Sequence, residues 1–68
     1  MYRAMIIKEL KKGDFFTIKA LDNPTENQVW VRGEYDKSER KYECYKWADV
    51  NATRFFKGDK VVYVDFTF

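Results

Sequence analysis

Residues 29–47 read VWVRGEYDKSERKYECYKW, two runs in which β-branched and aromatic residues alternate with polar ones across a polar Asp-Lys-Ser-Glu segment. Alternation with a period of two sends successive side chains to opposite faces of a strand, and two such runs joined by turn-forming residues make a hairpin. No window sustains apolar spacing at three and four residues, so an amphipathic helix has no template. The chain reads as all-β.

With Asp36, Lys37, Ser38 and Glu39 as the loop, Tyr35 faces Arg40 and the rest of the ladder follows. One face then carries Trp30 opposite Tyr45, Arg32 opposite Glu43 and Glu34 opposite Lys41. The other carries Val31 opposite Cys44, and Gly33 opposite Tyr42, an aromatic laid over a glycine. Each cross-strand pair is worth roughly 0.2 to 1 kcal/mol, and moving the loop by one residue on each side sets Glu34 against Glu43. The expected inner face is therefore Val29, Val31, Tyr42 and Cys44, joined by Phe16, Ile18, Val62, Val64 and Phe66 from other strands.

Those other strands are expected at residues 5–10, 15–20 and 61–66, with the hairpin strands at 28–35 and 41–47. LDNPTEN, residues 21–27, supplies Asp, Asn and Pro for an irregular loop. Within residues 49–54, Asp49 or Asn51 is suited to cap one short helical turn before Phe55 and Phe56 return to the core. Lys-Gly-Asp occurs at residues 12–14 and again at 57–59. Each copy reads as a corner that opens a strand, glycine providing a positive φ and aspartate bonding the backbone nearby. The apolar phase after the two copies differs, so the echo is turn chemistry and not an internal repeat. As an adhesion-receptor tripeptide, it is a three-residue match only.

Sixty-eight residues form one domain, residues 1–68, near the lower size limit for a core without disulfide or metal support. Aromatic residues at 19% compensate, because each buries a large area. The net charge of +2, with signs interspersed, names no partner and gives no polybasic membrane patch. A single cysteine, Cys44, forbids an internal disulfide and suits a reducing, cytoplasmic setting. The sequence contains no histidine, which removes the commonest general base and zinc ligand, and it has neither a P-loop nor a dinucleotide fingerprint. The expectation is a non-enzymatic protein with no metal and no cofactor, and no stretch long enough to cross a membrane.

What remains is a surface. In the expected register Trp30, Arg32, Lys41, Tyr45 and Trp47 lie on the outer face of the hairpin, and Tyr63 projects on the opposite phase to Val62 and Val64. Exposed rings beside cations suit single-stranded nucleic acid, since bases stack on rings while Lys and Arg meet phosphate. The alternative is a protein-interaction or assembly module that uses the same surface or its own sheet edge, including self-association as a homodimer. A plainer reading makes these rings a second small core, covered by residues 1–10 through Met5, Ile6, Ile7 and Leu10.

A Lys-Gly-Asp corner, a long loop, a central hairpin, a helical turn and a closing strand resemble the SH3-like small β-barrels. The resemblance implies an antiparallel barrel of about five strands acting as a binding module, with an OB-like barrel as the alternative. The stretch VWVRGEYDKSERKYECYKWADVN, with the ending RFFKGDKVVYVDFTF, also resembles short uncharacterised proteins of Bacteroides-type gut anaerobes. That likeness runs from about Gly13 to Phe68 and implies no activity. The chain lacks the acidic loop and ALYDY-type strand of eukaryotic SH3 domains, so their peptide sites do not carry over.

Overall fold

In a computed structural model, which describes residues 2–66, the chain forms six strands and two single turns of 3-10 helix. The strands are β1 (Arg3–Ile6), β2 (Phe15–Phe16), β3 (Trp30–Asp36), β4 (Lys41–Lys46), β5 (Thr53–Lys57) and β6 (Val61–Val64). The 3-10 turns are Ile7–Glu9 and Glu26–Gln28. β1 and β6 make one antiparallel sheet, and β2, β3, β4 and β5 make another in that order. An isolated bridge between Thr17 and Tyr63 links the two. The protein is all-β, with unclosed sheets, and among the described residues no helix is long and apolar enough to cross a membrane.

The central hairpin forms where the alternation places it, but its ladder differs from the expected one. Observed pairs are Trp30 with Lys46, Val31 with Tyr45 and Arg32 with Cys44, then, after a shift, Tyr35 with Tyr42 and Asp36 with Lys41. The turn starts one residue later than expected. The Asp36 carboxylate accepts from the Ser38 and Glu39 amides at 2.9 and 3.3 Å, and Arg40 takes a left-handed φ of 55° before Lys41 faces Asp36. That choice alone would set Glu34 directly against Glu43. A β-bulge follows, in which Gly33 and Glu34 together lie opposite Glu43, and the Glu34 carboxylate pairs with Lys12. Below the bulge the ladder is displaced by one residue from the expected one, which exchanges the faces of β3: Trp30 and Arg32 turn inward and Val31 outward, while Tyr42 and Cys44 stay inward and Tyr45 outward on β4.

Directly opposed residues share a face, so the inner face carries Phe16, Trp30, Arg32, Cys44, Tyr42 and Phe56, while Phe15, Val31, Glu43, Tyr45 and Phe55 lie on the outer one. The core gathers Ile7, Leu10, Phe16, Trp30, Cys44, Val62 and Val64, with Met5, Ile18, Tyr42 and Phe56 packed against it. Val31, expected on the inner face, is buried on the outer one, and neither it nor the buried Val29 belongs to that cluster. Of the N-terminal residues expected to cover the sheet, Ile7 and Leu10 are buried and help close this core.

The expected helical turn at residues 49–54 is not formed. Asp49 accepts the Ala52 amide at 3.0 Å through its carbonyl and the Asn51 amide at 3.1 Å through its side chain, closing a tight turn, and Thr53 opens β5. A carboxylate aimed at nearby amides serves a turn as well as a helix cap. β6 ends at Val64, with Asp65 at a φ of 62° in an ion pair with Arg3. Phe66 follows, half-buried.

The two Lys-Gly-Asp corners are built differently. Gly13 has a φ of 95°, and the Asp14 carboxylate accepts the Lys11 amide at 2.8 Å. Gly58 needs no left-handed φ. A β-carbon there would lie 3.2 Å from the Tyr42 ring and 3.3 Å from the Lys8 β-carbon, so its glycine answers crowding.

Candidate functional site

The exchange of faces divides the six residues singled out from the sequence. Trp30 opens β3 on the inner face and is 7% exposed. Arg32, also inner, lays its guanidinium 4.4 Å above the Tyr42 ring and donates to the Gly33 carbonyl at 2.7 Å, while its buried Nε has no partner among the described residues. Tyr45 points outward between Val31 and Thr53. Trp47, just past β4, donates its amide to the Val29 carbonyl and packs its ring 5.1 Å from Phe15, remaining 46% exposed. Lys41 lies at the far end of the ladder, opposite Asp36 and Lys57. Tyr63 belongs to the other sheet and meets Tyr2 edge-on at 5.5 Å. The expected single patch is therefore not assembled: Trp30 and Arg32 face one way, Tyr45 and Trp47 the other.

A different cluster forms around Trp30. Its ring contributes to a cleft of about 300 Å³ also lined by Ile18, Lys19, Leu21, Asn27, Gln28, Lys46 and Arg54. Pairing brings the cations there: Lys46 is opposite Trp30 on β4, and Arg54 is opposite Cys44 on β5. The Lys46 ammonium lies 5.7 Å and the Arg54 guanidinium 6.0 Å from the centre of the indole, within cation–π range. Phe56 meets the same ring edge-on at 5.8 Å, so the indole is fixed as an apolar wall. The 3-10 turn Glu26–Gln28 places the two amides, and the Thr25 amide donates to Gln28 Oε1 at 2.9 Å, which aims the remaining Gln28 NH2 as a donor.

Charge distinguishes this cleft from the other hollows. One, about 410 Å³, holds Arg3, Glu9, Lys11, Asp14 and Asp65, cations mixed with carboxylates. Arg3 pairs with Asp65 at 3.2 Å, and Asp14 and Glu9 accept the amides of Lys11 and Ile6. A third, about 280 Å³, is lined by Glu34, Asp36 and Glu43 against Lys37. The Trp30 cleft alone of the three has cations and no carboxylate in its lining. It can hold an anionic group against an apolar wall, with amides to bond a flat polar edge.

Two titratable groups are shifted. Burial pushes the Cys44 thiol up to about 11, and its Sγ donates to the Tyr42 carbonyl at 3.7 Å. A thiol so protonated is a poor nucleophile at neutral pH. The hydrogen bond and charge of Lys12 hold Glu34 below the usual carboxylate range. Among the described residues no group of three His, Cys, Asp or Glu side chains could hold a metal ion.

Lys19, Asn27, Gln28, Lys46 and Arg54 were not marked by the sequence. Lys46 and Arg54 enter the site only through the observed register, since the expected ladder put Tyr45 beside Trp30 and gave residue 54 no strand partner. No family model, no curated protein and no solved structure matches the chain.

Proposed function

We infer that the chain is a non-enzymatic binding module whose cleft beside Trp30 takes a strand of single-stranded nucleic acid, on a scaffold read as an opened SH3-like barrel. The barrel reading is supported by the Thr17–Tyr63 bridge, which runs the strands into one succession from β1 through β6 and β2 to β5. It is also supported by the Ile7 and Lys8 amides, which donate to the carbonyls of Lys60 and Gly58 at 3.1 Å beside the turn after β5.

The observation that carries the ligand class is the convergence of Lys19, Lys46 and Arg54 on one cleft free of carboxylates. Phosphate meets the cations, and a base lies against Ile18, Leu21 and the rim of Trp30 with its polar edge toward Asn27 and Gln28. Trp30 is too enclosed to be an open stacking platform; its role is to give the cleft an apolar wall and to report occupancy.

Titration with a short oligo-dT while following tryptophan emission tests this. Quenching is expected at low salt, with three phosphate contacts giving a log–log salt slope of about −2. Lys46→Ala combined with Arg54→Ala abolishes it, and Lys11→Ala combined with Lys12→Ala does not. Absence of quenching at low salt rejects the reading. It would favour the alternative, a protein-interaction module using the outer face, where Phe15, Trp47 and Phe55 are 39, 46 and 44% exposed.

A further inference from the structure

β5 is the last strand of its sheet, and among the described residues no strand pairs with its far side. The phase of its backbone is set by the ladder it shares with β4. The Lys46 amide donates to the Ala52 carbonyl at 3.0 Å, and hydrogen-bonded pairs alternate along an antiparallel ladder, so Cys44 with Arg54 and Tyr42 with Phe56 are hydrogen-bonded pairs too. The N–H and C=O groups of Thr53 and Phe55 and the N–H of Lys57 therefore point outward along the open edge, while the Lys57 carbonyl accepts the Lys60 amide at 3.0 Å in the turn that follows.

We propose that this edge pairs with the same edge of a second copy, as an antiparallel two-fold ladder centred on Phe55. The backbone phase admits only registers that match Thr53, Phe55 and Lys57 among themselves, because Arg54 and Phe56 direct their amides and carbonyls toward β4. Charge and bond count then select one. Centring on Arg54 sets two guanidiniums face to face, and centring on Phe56 carries Thr53 past the end of the partner strand. Centring on Phe55 pairs Phe55 with Phe55, Thr53 with Lys57 and Arg54 with Phe56, so that no like charges oppose and Arg54 meets an aromatic face. Cationic edge residues usually discourage pairing, and here this register leaves both of them a compatible partner. Phe55, 44% exposed in the single chain, becomes covered by its copy on the outer face. The pairing uses the backbone of β5 and sets the Arg54 side chain, which also lines the cleft, beside Phe56 of the copy, so self-association and ligand binding meet at Arg54.

A five-residue edge buries far less than a standard interface, so the dimer is weak, with dissociation expected between about 10 µM and 1 mM. Sedimentation across that range should show a monomer–dimer equilibrium, with the Phe55 amide gaining exchange protection in the dimer. Thr53→Lys opposes Lys57 of the copy twice and should weaken the dimer about tenfold, and Thr53→Glu should tighten it by a similar factor. Both changes are at an exposed position, and circular dichroism checks that each variant is folded. A chain that stays monomeric at 1 mM overturns the proposal. So does a dimer indifferent to both substitutions, or an edge that takes up extended peptides but not its own copy.

Discussion

The two faces of the four-stranded sheet are cut from the same strands, yet one is closed and the other half open. Inward, Phe16, Trp30 and Cys44 are covered by Ile7 and Leu10 and by Val62 and Val64 of the other sheet, and none is more than 7% exposed. Outward, Phe15, Trp47 and Phe55 keep 39 to 46% of their surface in water. Neither face is more apolar than the other by composition; what separates them is which residues the ladder sends inward. That is decided at one place, the bulge at Gly33 and Glu34, because a displacement of one residue reverses every side chain beyond it. In so small a sheet, burial is therefore a property of the register before it is a property of the residue.

Truncation on the two faces should separate them most widely. Phe16→Ala removes a fully buried ring that meets Phe56 edge-on at 6.0 Å, and about 3–5 kcal/mol is expected, close to the whole stability of a domain of this size. Phe55→Ala should cost less than about 1 kcal/mol at concentrations where the chain is monomeric. Urea denaturation of both variants measures the difference, and equal losses would erase the distinction between the faces.

Gly33→Ala attacks the point at which the faces are assigned. A β-carbon there would lie 2.5 Å from the Glu43 carbonyl oxygen, backbone that cannot yield without opening the bulge. A loss of about 3 kcal/mol is expected, read from the urea midpoint. A loss below about 1 kcal/mol would mean that β3 and β4 can rejoin in another register, and with it that the closed and open faces are not fixed.

The thiol offers a chemical contrast between the faces. Burial raises Cys44 from 9.0 to about 11, so at pH 9 the folded thiol is about 1% ionised while the unfolded one is about half ionised. The folded state thus holds the proton more tightly. The stabilisation from this group is whole below pH 9 and is lost as the pH rises from 9 through 11. Stability measured across that window should fall more steeply in the parent chain than in Cys44→Ala, and native Cys44 should resist alkylation at pH 8. A cysteine placed outward by Phe55→Cys, in the Cys44→Ala background, should alkylate at the rate of a free thiol.

Much of this arrangement could be read from the sequence. The all-β class followed from alternation, and Phe16, Val29, Val31, Cys44, Val62 and Val64 were expected inside and are buried. The register could not be read, because cross-strand pairs of a fraction of a kcal/mol were asked to choose it while turn geometry held the stronger vote. Asp36 captures the Ser38 and Glu39 amides, and Lys12, twenty-two residues from Glu34, removes the repulsion that had argued against the result. Residues 53–57 were missed as a strand for a related reason: Asp49 closes a turn with the same atoms that would cap a helix. The candidate site inherited both errors, since Lys46 and Arg54 reach Trp30 only through the ladder that was not foreseen.

The smallest effect concerns the charge pair beside the bulge. Glu34 is exposed and paired with Lys12, whose hydrogen bond and charge hold its carboxyl below 4.5. A depressed folded pKa contributes stability above the ordinary carboxylate range, and that contribution is lost as the pH falls through the folded value. In a carbon-detected NMR titration Glu34 should therefore titrate below the usual carboxylate range, and Lys12→Ala should return it toward that range. Because the pair is open to solvent, salt should mute the difference and the fold should survive the substitution. If Lys12→Ala instead moved Trp30 from its enclosed position, seen as a red shift of tryptophan emission, the pair would be setting the register. Backbone turn geometry would then be the lesser cause of the contrast between the two faces.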